Sequence, residues 1–259
     1  MSMKSFIIKL NTWVIRFLLP GYHIVPNIYG ISFRKQYDIR ANASFKSIAD
    51  LVISEKRTYL GYDRLNVIYQ SLNQAKKVAS RLNIPFIAME VGVFRGGASK
   101  FMCEAMSDFS GEKKFIAVDT FSGHAAEDVT NFDGWHTTGT FINTSHGQVI
   151  EYLSKYPFAE VHKGRIQDTY ETHLSGTQKY SFVHIDVDIE KPTSYLLEKL
   201  NIDLIVGGVI VIDDFGFESC PGLRTVVQKF IDENSNFCGL EVLSGQAILI
   251  KTSDNISAS

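Results

Sequence analysis

Cysteine is scarce in this chain of 259 residues, with only Cys103, Cys220 and Cys238 present. They are odd in number, widely scattered and without a CxxC pair. This argues against a disulfide framework and a structural zinc site, and points to a reducing compartment, the cytoplasm. An excess of either charge is also missing. The 26 Lys and Arg residues nearly balance 28 Asp and Glu, leaving a net charge of −2, so no global basic field gathers nucleic acid and no nucleic-acid partner is expected. No run approaches the roughly 18 apolar residues of a membrane-spanning helix, and there is neither an internal repeat nor a low-complexity tract. What remains is an ordinary globular mixture, 45 % hydrophobic and 21 % charged, long enough for one large α/β domain with extensions.

The N-terminus stands apart. In SFIIKLNTWVIRFLLPG (residues 5–21), a spacing of about 100° per residue puts Lys9, Thr12 and Arg16 on one face and Phe6, Leu10, Trp13, Val14 and Phe17 on the other. An amphipathic helix is expected, ended by Pro20 and Gly21. No small-residue cleavage site follows, so a signal peptide fits poorly. Packing of the wide apolar face within a homo-oligomer is the expected arrangement. Peripheral contact of residues 4–19 with the inner face of a membrane is the alternative, with only Lys4, Lys9 and Arg16 to attract anionic headgroups. With a weakly patterned connector this gives an N-terminal extension over residues 1–55 and a main domain over 56–259.

From Tyr62 to Leu82 apolar residues recur at spacings of three and four (Leu65, Ile68, Leu72, Ala75, Val78, Leu82), which predicts a helix. From Phe86 onward short β-rich runs alternate with helical segments: FIAMEV, FIAVD, AEVHKG, SFVHID, GGVIVIDD, LEVL and AILIK. That alternation predicts a doubly wound, mostly parallel sheet of the α/β class. The last two runs, separated by Ser244, Gly245 and Gln246, predict a hairpin that adds one antiparallel edge strand. Residues 123–146 lack periodicity, and an insert of that length in a compact domain is expected to be a lid.

Chemistry starts at the first strand of this alternation, where FIAMEV runs into GVFRGGAS. Gly92, Gly96 and Gly97 then fall at the carboxyl end of a parallel strand, where such sheets bind ligands. The dinucleotide fingerprint GxGxxG fails because Phe94 stands at its second glycine, which disfavours NAD. The next strand ends in Asp119, placed to accept two hydrogen bonds from a ribose diol; a turn cap is the plainer reading. Phe121 is suited to pack on an adenine or in the core. Further on, SFVHIDVDIE delivers Asp186 and Asp188, and GGVIVIDD delivers Asp213 and Asp214, all at one sheet edge. Their mutual repulsion is relieved by a divalent cation, and oxygen-only ligation selects Mg²⁺, with Ca²⁺ or Mn²⁺ as alternatives. Helix capping is the bland reading of the same residues. His184, inside a strand, reads as a satisfied core residue. His124 and His136 read as lid histidines able to contact the acceptor or serve as a base.

The segments EVGVFRGGAS, VDTFSG, HKGRIQDT, IDVDIEKPTSYLLEKL and GGVIVIDDFG, in this order, resemble the macrocin O-methyltransferase family. The likeness covers roughly residues 55 to 250. It implies a seven-stranded, Rossmann-like class I methyltransferase fold, S-adenosylmethionine and Mg²⁺ as cofactors, and a sugar hydroxyl as methyl acceptor. It further implies Glu90, Gly92, Phe94, Gly96 and Ser99 around the methionine part of the cofactor, Asp119 at the ribose, and Phe121, Gln167 and Asp168 near the adenine. Asp186, Asp213 and Asp214 fall on metal ligands and Asp188 on a general base. The family commonly carries DVDLYxST where this chain has DVDIEKPTS, so Glu190 and Pro192 alter the helix entrance. A glycoside, a nucleotide sugar or a polysaccharide fits as acceptor. A phenol or catechol acceptor is the competing enzyme reading, and a non-catalytic scaffold in glycan assembly the competing non-enzymatic one.

Overall fold

The computed structural model describes residues 22–27, 30–35, 39–176 and 178–254. The amphipathic helix expected at residues 4–19 lies outside the described residues. The chain divides into two units, residues 1–46 and 47–259. In the first, β1 (Tyr22–Asn27) pairs antiparallel with β2 (Gly30–Lys35), from Tyr22 opposite Lys35 to Asn27 opposite Gly30. This hairpin lies in a stretch that is weakly patterned in sequence. Its strands are six residues each and one contains Pro26, so the alternation is too short and interrupted to register in sequence. Helix α1 (Ala43–Ser54) follows, started by Asn42, whose Oδ1 accepts the N–H of Phe45 at 3.1 Å.

In the second unit α2 (Tyr62–Leu82) buries Leu65, Ile68, Leu72 and Ala75 of the predicted face, with Val78 half-buried and Leu82 in the last turn exposed; Ala79 is buried as well. Asn83 ends it with a φ of 54°, a left-handed cap that asparagine tolerates. The sheet comprises β3 (Phe86–Val91), β4 (Lys113–Asp119), β5 (Ala159–Lys163), β6 (Tyr180–Ile185), β7 (Leu204–Ile212), β8 (Phe237–Glu241) and β9 (Ala247–Lys251). Its seven strands run in the order β5-β4-β3-β6-β7-β9-β8, with the first five parallel. Helices α3 (Gly97–Ser107), α4 (His146–Leu153), α5 (Ile166–Thr169), α6 (Glu190–Asp203) and α7 (Pro221–Glu233) lie between the strands in sequence.

The antiparallel strand is β9, and it lies inside the sheet between β7 and β8, not at the edge. Composition explains the exchange: AILIK buries every second side chain, whereas FCGLE is largely exposed and suits the rim. After β3 the chain builds outward through β4 and β5, then crosses back to add β6 and β7 on the other side. The crevice at this switch point lies between the carboxyl ends of β3 and β6, and it is there that ligands bind in open α/β sheets. Among the described residues no helix is long and apolar enough to cross a membrane.

Candidate active site

At the switch point Gly92 has a φ of 91°, and a Cβ built on it would lie 1.8 Å from the carbonyl oxygen of Asp186. Only glycine allows the two strand ends to approach this closely. Phe94 and Phe121 also take positive φ, 51° and 52°, strained for aromatic residues. Asp119 offsets that strain. Its Oδ2 accepts the N–H of Val93 and Phe94 at 2.7 and 2.8 Å, and its Oδ1 that of Phe121 at 2.6 Å. Burial pushes this carboxyl above its ordinary range against the pull of those three donors. Glu90 is fully buried behind the turn, where it accepts from the Ser99 hydroxyl and lies 3.0 Å from His184 Nδ1. Gly96, with a φ of 83°, starts α3.

The four predicted carboxylates do meet. Asp186, Asp188 and Asp214 offer oxygens within 4.8 Å of one another, and a ring nitrogen of His184 lies equally close to oxygens of Asp186 and Asp213. Asp188 and Asp214 hold positive φ, 61° and 57°, a conformation that aspartate bears better than most side chains. Burial pushes Asp186 and Asp188 well above the carboxylate range, helped at Asp186 by repulsion from Asp213 and at Asp188 by a hydrogen bond with Asp214, and burial raises Asp213 to about 6 despite the neighbouring Arg64. Arg64, unsuspected from sequence, reaches in from α2: its Nη1 lies 2.9 Å from Asp213 Oδ2 and 3.1 Å from Asp214 Oδ1. Asp213 Oδ1 and His184 Nε2 are both buried without a hydrogen-bond partner. His184 is therefore a core residue whose Nδ1 meets Glu90 while its Nε2 has no partner among the described residues, and one of its ring nitrogens lies within 4.8 Å of Asp186 and Asp213 oxygens.

Residues 123–146 fold over this edge, anchored by two aspartates that sequence reading passed over. Asp128 accepts a two-pronged bond from Arg165, at 2.9 and 2.7 Å, and a bond from Gln167 Nε2 at 2.8 Å. Asp133, fully buried, accepts the N–H of Thr130 at 2.6 Å and that of Glu190 at 2.7 Å. Thr130 also donates to Glu190 Oε2 at 3.1 Å. The departure DVDIEKPTS thus ties the helix entrance to the insert, with Pro192 in the first turn of α6 where a missing N–H does no harm. Inside the insert His124 Nε2 and His136 Nδ1 are 3.1 Å apart. Burial and then His136 hold His124 down to about 4, and burial lowers His136 too, so both are neutral at pH 7.

A cavity of about 510 Å³ connects these parts, bounded by Glu90, Gly92, Phe94, Asp119, Asp186, Asp188 and Asp214 and roofed by the insert. That volume suits a nucleoside-sized ligand. Tyr59 stacks on Phe94 at 5.4 Å, Phe94 meets Phe141 edge to face at 5.9 Å, and the largely exposed Trp135 also lines the cavity. Several predicted residues lie elsewhere. Asp213, Gly96 and Ser99 stand behind the lining, and Phe121 is buried with its ring 5.0 Å from His146. Gln167 is taken by Asp128, and Asp168 is 68 % exposed beside Arg165. In the short helix α5 Ile166 is buried and lines the cavity, whereas Asp168 is not among the lining residues.

Comparison with known proteins places this geometry. The macrocin-O-methyltransferase (TylF) family matches residues 42–243. Among solved structures, the O-methyltransferase NovP superposes with a TM-score of 0.65 at 21 % identity, covering 76 % of this chain and 83 % of that one. The calicheamicin methyltransferase CalS11 gives a TM-score of 0.58 at 16 % identity, covering 83 % and 94 %. TomG from Streptomyces achromogenes, an O-methyltransferase involved in tomaymycin synthesis solved with SAM, gives 0.50 at 12 % identity, covering 98 % and 100 %. At these identities the likeness is one of fold. No curated protein matches the sequence. Because the family match spans every element that lines the cavity, the chain belongs to the macrocin-O-methyltransferase family.

Proposed function

We propose that this protein is an S-adenosylmethionine-dependent O-methyltransferase that needs Mg²⁺ and methylates a sugar hydroxyl. One observation carries the reading: a cavity that runs from a glycine turn held by Asp119 to the carboxylates of Asp186, Asp188 and Asp214 at the ends of two adjacent strands, with Asp213 directly behind them. The names of NovP and CalS11 are consistent with it, CalS11 also being described as a TDP-rhamnose 3'-O-methyltransferase. Asp119 and the backbone of Gly92 and Phe94 take the nucleoside and methionine parts of the donor, with Glu90 beneath. The donor set fits a hard divalent ion, since Asp186, Asp213 and Asp214 offer only carboxylate oxygens and the buried Asp213 Oδ1 has no partner among the described residues. Asp186, Asp213 and Asp214 hold that ion, which when bound supplies Lewis-acid stabilisation of charge developing on the acceptor oxygen. Asp188 accepts the hydroxyl proton. The insert excludes water, and the turn holds the donor methyl in line with that oxygen.

We assign residues 56–259 to the methyltransferase domain and the N-terminal apolar face to a homo-oligomer contact. Three free cysteines, two of them buried, suit a cytoplasmic setting. The aromatic lining of Tyr59, Phe94, Phe141 and Trp135 is the observation that favours a phenolic acceptor as second reading. A panel of glycosides, nucleotide sugars and catechols with methyl-labelled donor decides: label on sugar oxygens supports the proposal, and label only on phenols replaces it.

Two further results are expected. Asp119→Ala weakens S-adenosylhomocysteine binding by about 1–3 kcal/mol through lost charge-assisted bonds, and it also loosens the turn that Asp119 holds. Calorimetry that shows unchanged affinity contradicts the assignment. The second concerns pH. Asp213 is raised from 3.8 to about 6 in the folded protein, so the metal-free fold binds more protons than the unfolded chain and loses stability as pH rises from about 4 through 6. Asp186 and Asp188 extend that loss upward. Mg²⁺ competes with those protons, so the rise in melting temperature it produces is larger at pH 8 than at pH 5; an equal rise at both places the ion elsewhere.

A further inference from the structure

We propose that His124, His136 and Asp188 form a second metal site, selective for a zinc-class transition ion, whose occupation shuts off methyl transfer. One ring nitrogen of each histidine and one oxygen of Asp188 lie within 4.8 Å of one another. His124 Nε2 and His136 Nδ1 are already 3.1 Å apart, close to the separation of about 3.3 Å that two nitrogens take around a tetrahedral ion with bonds of about 2.0 Å. Both rings are neutral at pH 7, so each can turn a lone pair toward an ion without first losing a proton. The outer nitrogen of His136, Nε2, lies 3.4 Å from Cys220 Sγ, which in turn lies 3.9 Å from Asp188 Oδ1. Such an outer contact fixes ring orientation in metal-binding histidines.

The donor chemistry separates this site from the carboxylate group beside it. Two imidazoles and one carboxylate suit Zn²⁺ and its first-row neighbours, whereas Mg²⁺ prefers the all-oxygen set of Asp186, Asp213 and Asp214. Asp188 stands where the two groups meet. An ion on it takes the lone pair that would otherwise accept the hydroxyl proton, so binding withdraws the base while the Mg²⁺ ligands stay in place. Metal binding follows from geometry alone; the inhibitory effect rests on the reading of Asp188 as base.

The test uses the full chain saturated with Mg²⁺ and titrated with Co²⁺, whose visible absorption is intense in tetrahedral nitrogen-containing sites. We expect intense bands in the wild type, retained in Asp213→Asn and lost in both His124→Asn and His136→Asn. Removal of a ligand should weaken Co²⁺ binding by more than the roughly 10- to 100-fold that loss of an outer partner costs. No bands in the wild type, or bands that survive both histidine substitutions, overturn the site. In parallel, Zn²⁺ added over excess Mg²⁺ should slow methyl transfer about 100-fold or more, the scale of losing a general base. The ratio of rates without and with Zn²⁺ should fall toward one in each histidine variant. Co²⁺ binding without Zn²⁺ inhibition overturns the inhibitory role. If no methyl transfer is found at all, the proposed function fails, and the Co²⁺ spectrum still decides the site.

Discussion

Arg64→Met is expected to cost the metal-free protein about 3–5 kcal/mol at neutral pH, the scale seen when one partner of a buried ion pair is removed. The guanidinium is the cation that faces both Asp213 and Asp214, and its side chain is only 17 % exposed, with Asp213 fully buried. Methionine fills a similar volume and keeps contact with Phe217, whose ring lies 5.6 Å from the guanidinium carbon, so the loss reports charge and not a cavity. Without Arg64 the carboxylates respond by holding protons, which makes the penalty larger at pH 8 than at pH 5. Mg²⁺ should restore much of it, because an ion on the same carboxylates replaces the missing charge. Arg64→Lys keeps the charge but loses the second guanidinium nitrogen, which donates to the Tyr59 carbonyl at 3.3 Å while the first serves both carboxylates, and should fall between. Urea unfolding in EDTA measures all three. A wild-type midpoint for Arg64→Met means that the acidic edge does not depend on this residue.

Asp188→Asn is the variant with the largest expected effect on turnover, a loss of about 10²- to 10⁴-fold in kcat, the usual contribution of a positioned general base. Asparagine preserves shape and bears the positive φ of 61° at this position, so the fold should persist. S-adenosylhomocysteine should bind as before, because Asp119 and the glycine turn are untouched. The Mg²⁺ concentration for half-maximal rate separates two roles. If Asp188 is the base it stays constant while kcat falls; if it rises sharply, Asp188 acts as a ligand, as its place within 4.8 Å of Asp186 and Asp214 also permits.

The sheet, the glycine turn and the acidic edge were legible because each is written locally. Apolar runs define strands, glycines mark the turn after β3, and paired aspartates close β6 and β7. Arg64 was not legible: 149 residues separate it from Asp213, and on α2 it reads as one more solvated charge. The same holds for Asp128, which meets Arg165 across 37 residues, inside an insert with no period to align it. For Asp168 a motif match places its segment beside a ligand without saying which side chain faces in, and in the structure that side chain is 68 % exposed. His184 was half right. The strand pattern puts it in the core, and only the fold shows that its Nε2 has no partner among the described residues and that it lies beside Asp186 and Asp213. The order of the last two strands was missed for a different reason, since a hairpin specifies that two strands pair but not which of them joins the sheet.

Transfer of labelled methyl from S-adenosylmethionine to a glycoside, followed in EDTA and then with Mg²⁺ restored, tests the whole arrangement most directly. The account predicts no turnover in EDTA, recovery with Mg²⁺, label on a sugar oxygen, and no recovery in Asp213→Asn although that variant still binds S-adenosylhomocysteine. Undiminished transfer in EDTA by metal-free protein, or full activity of Asp213→Asn, would contradict it.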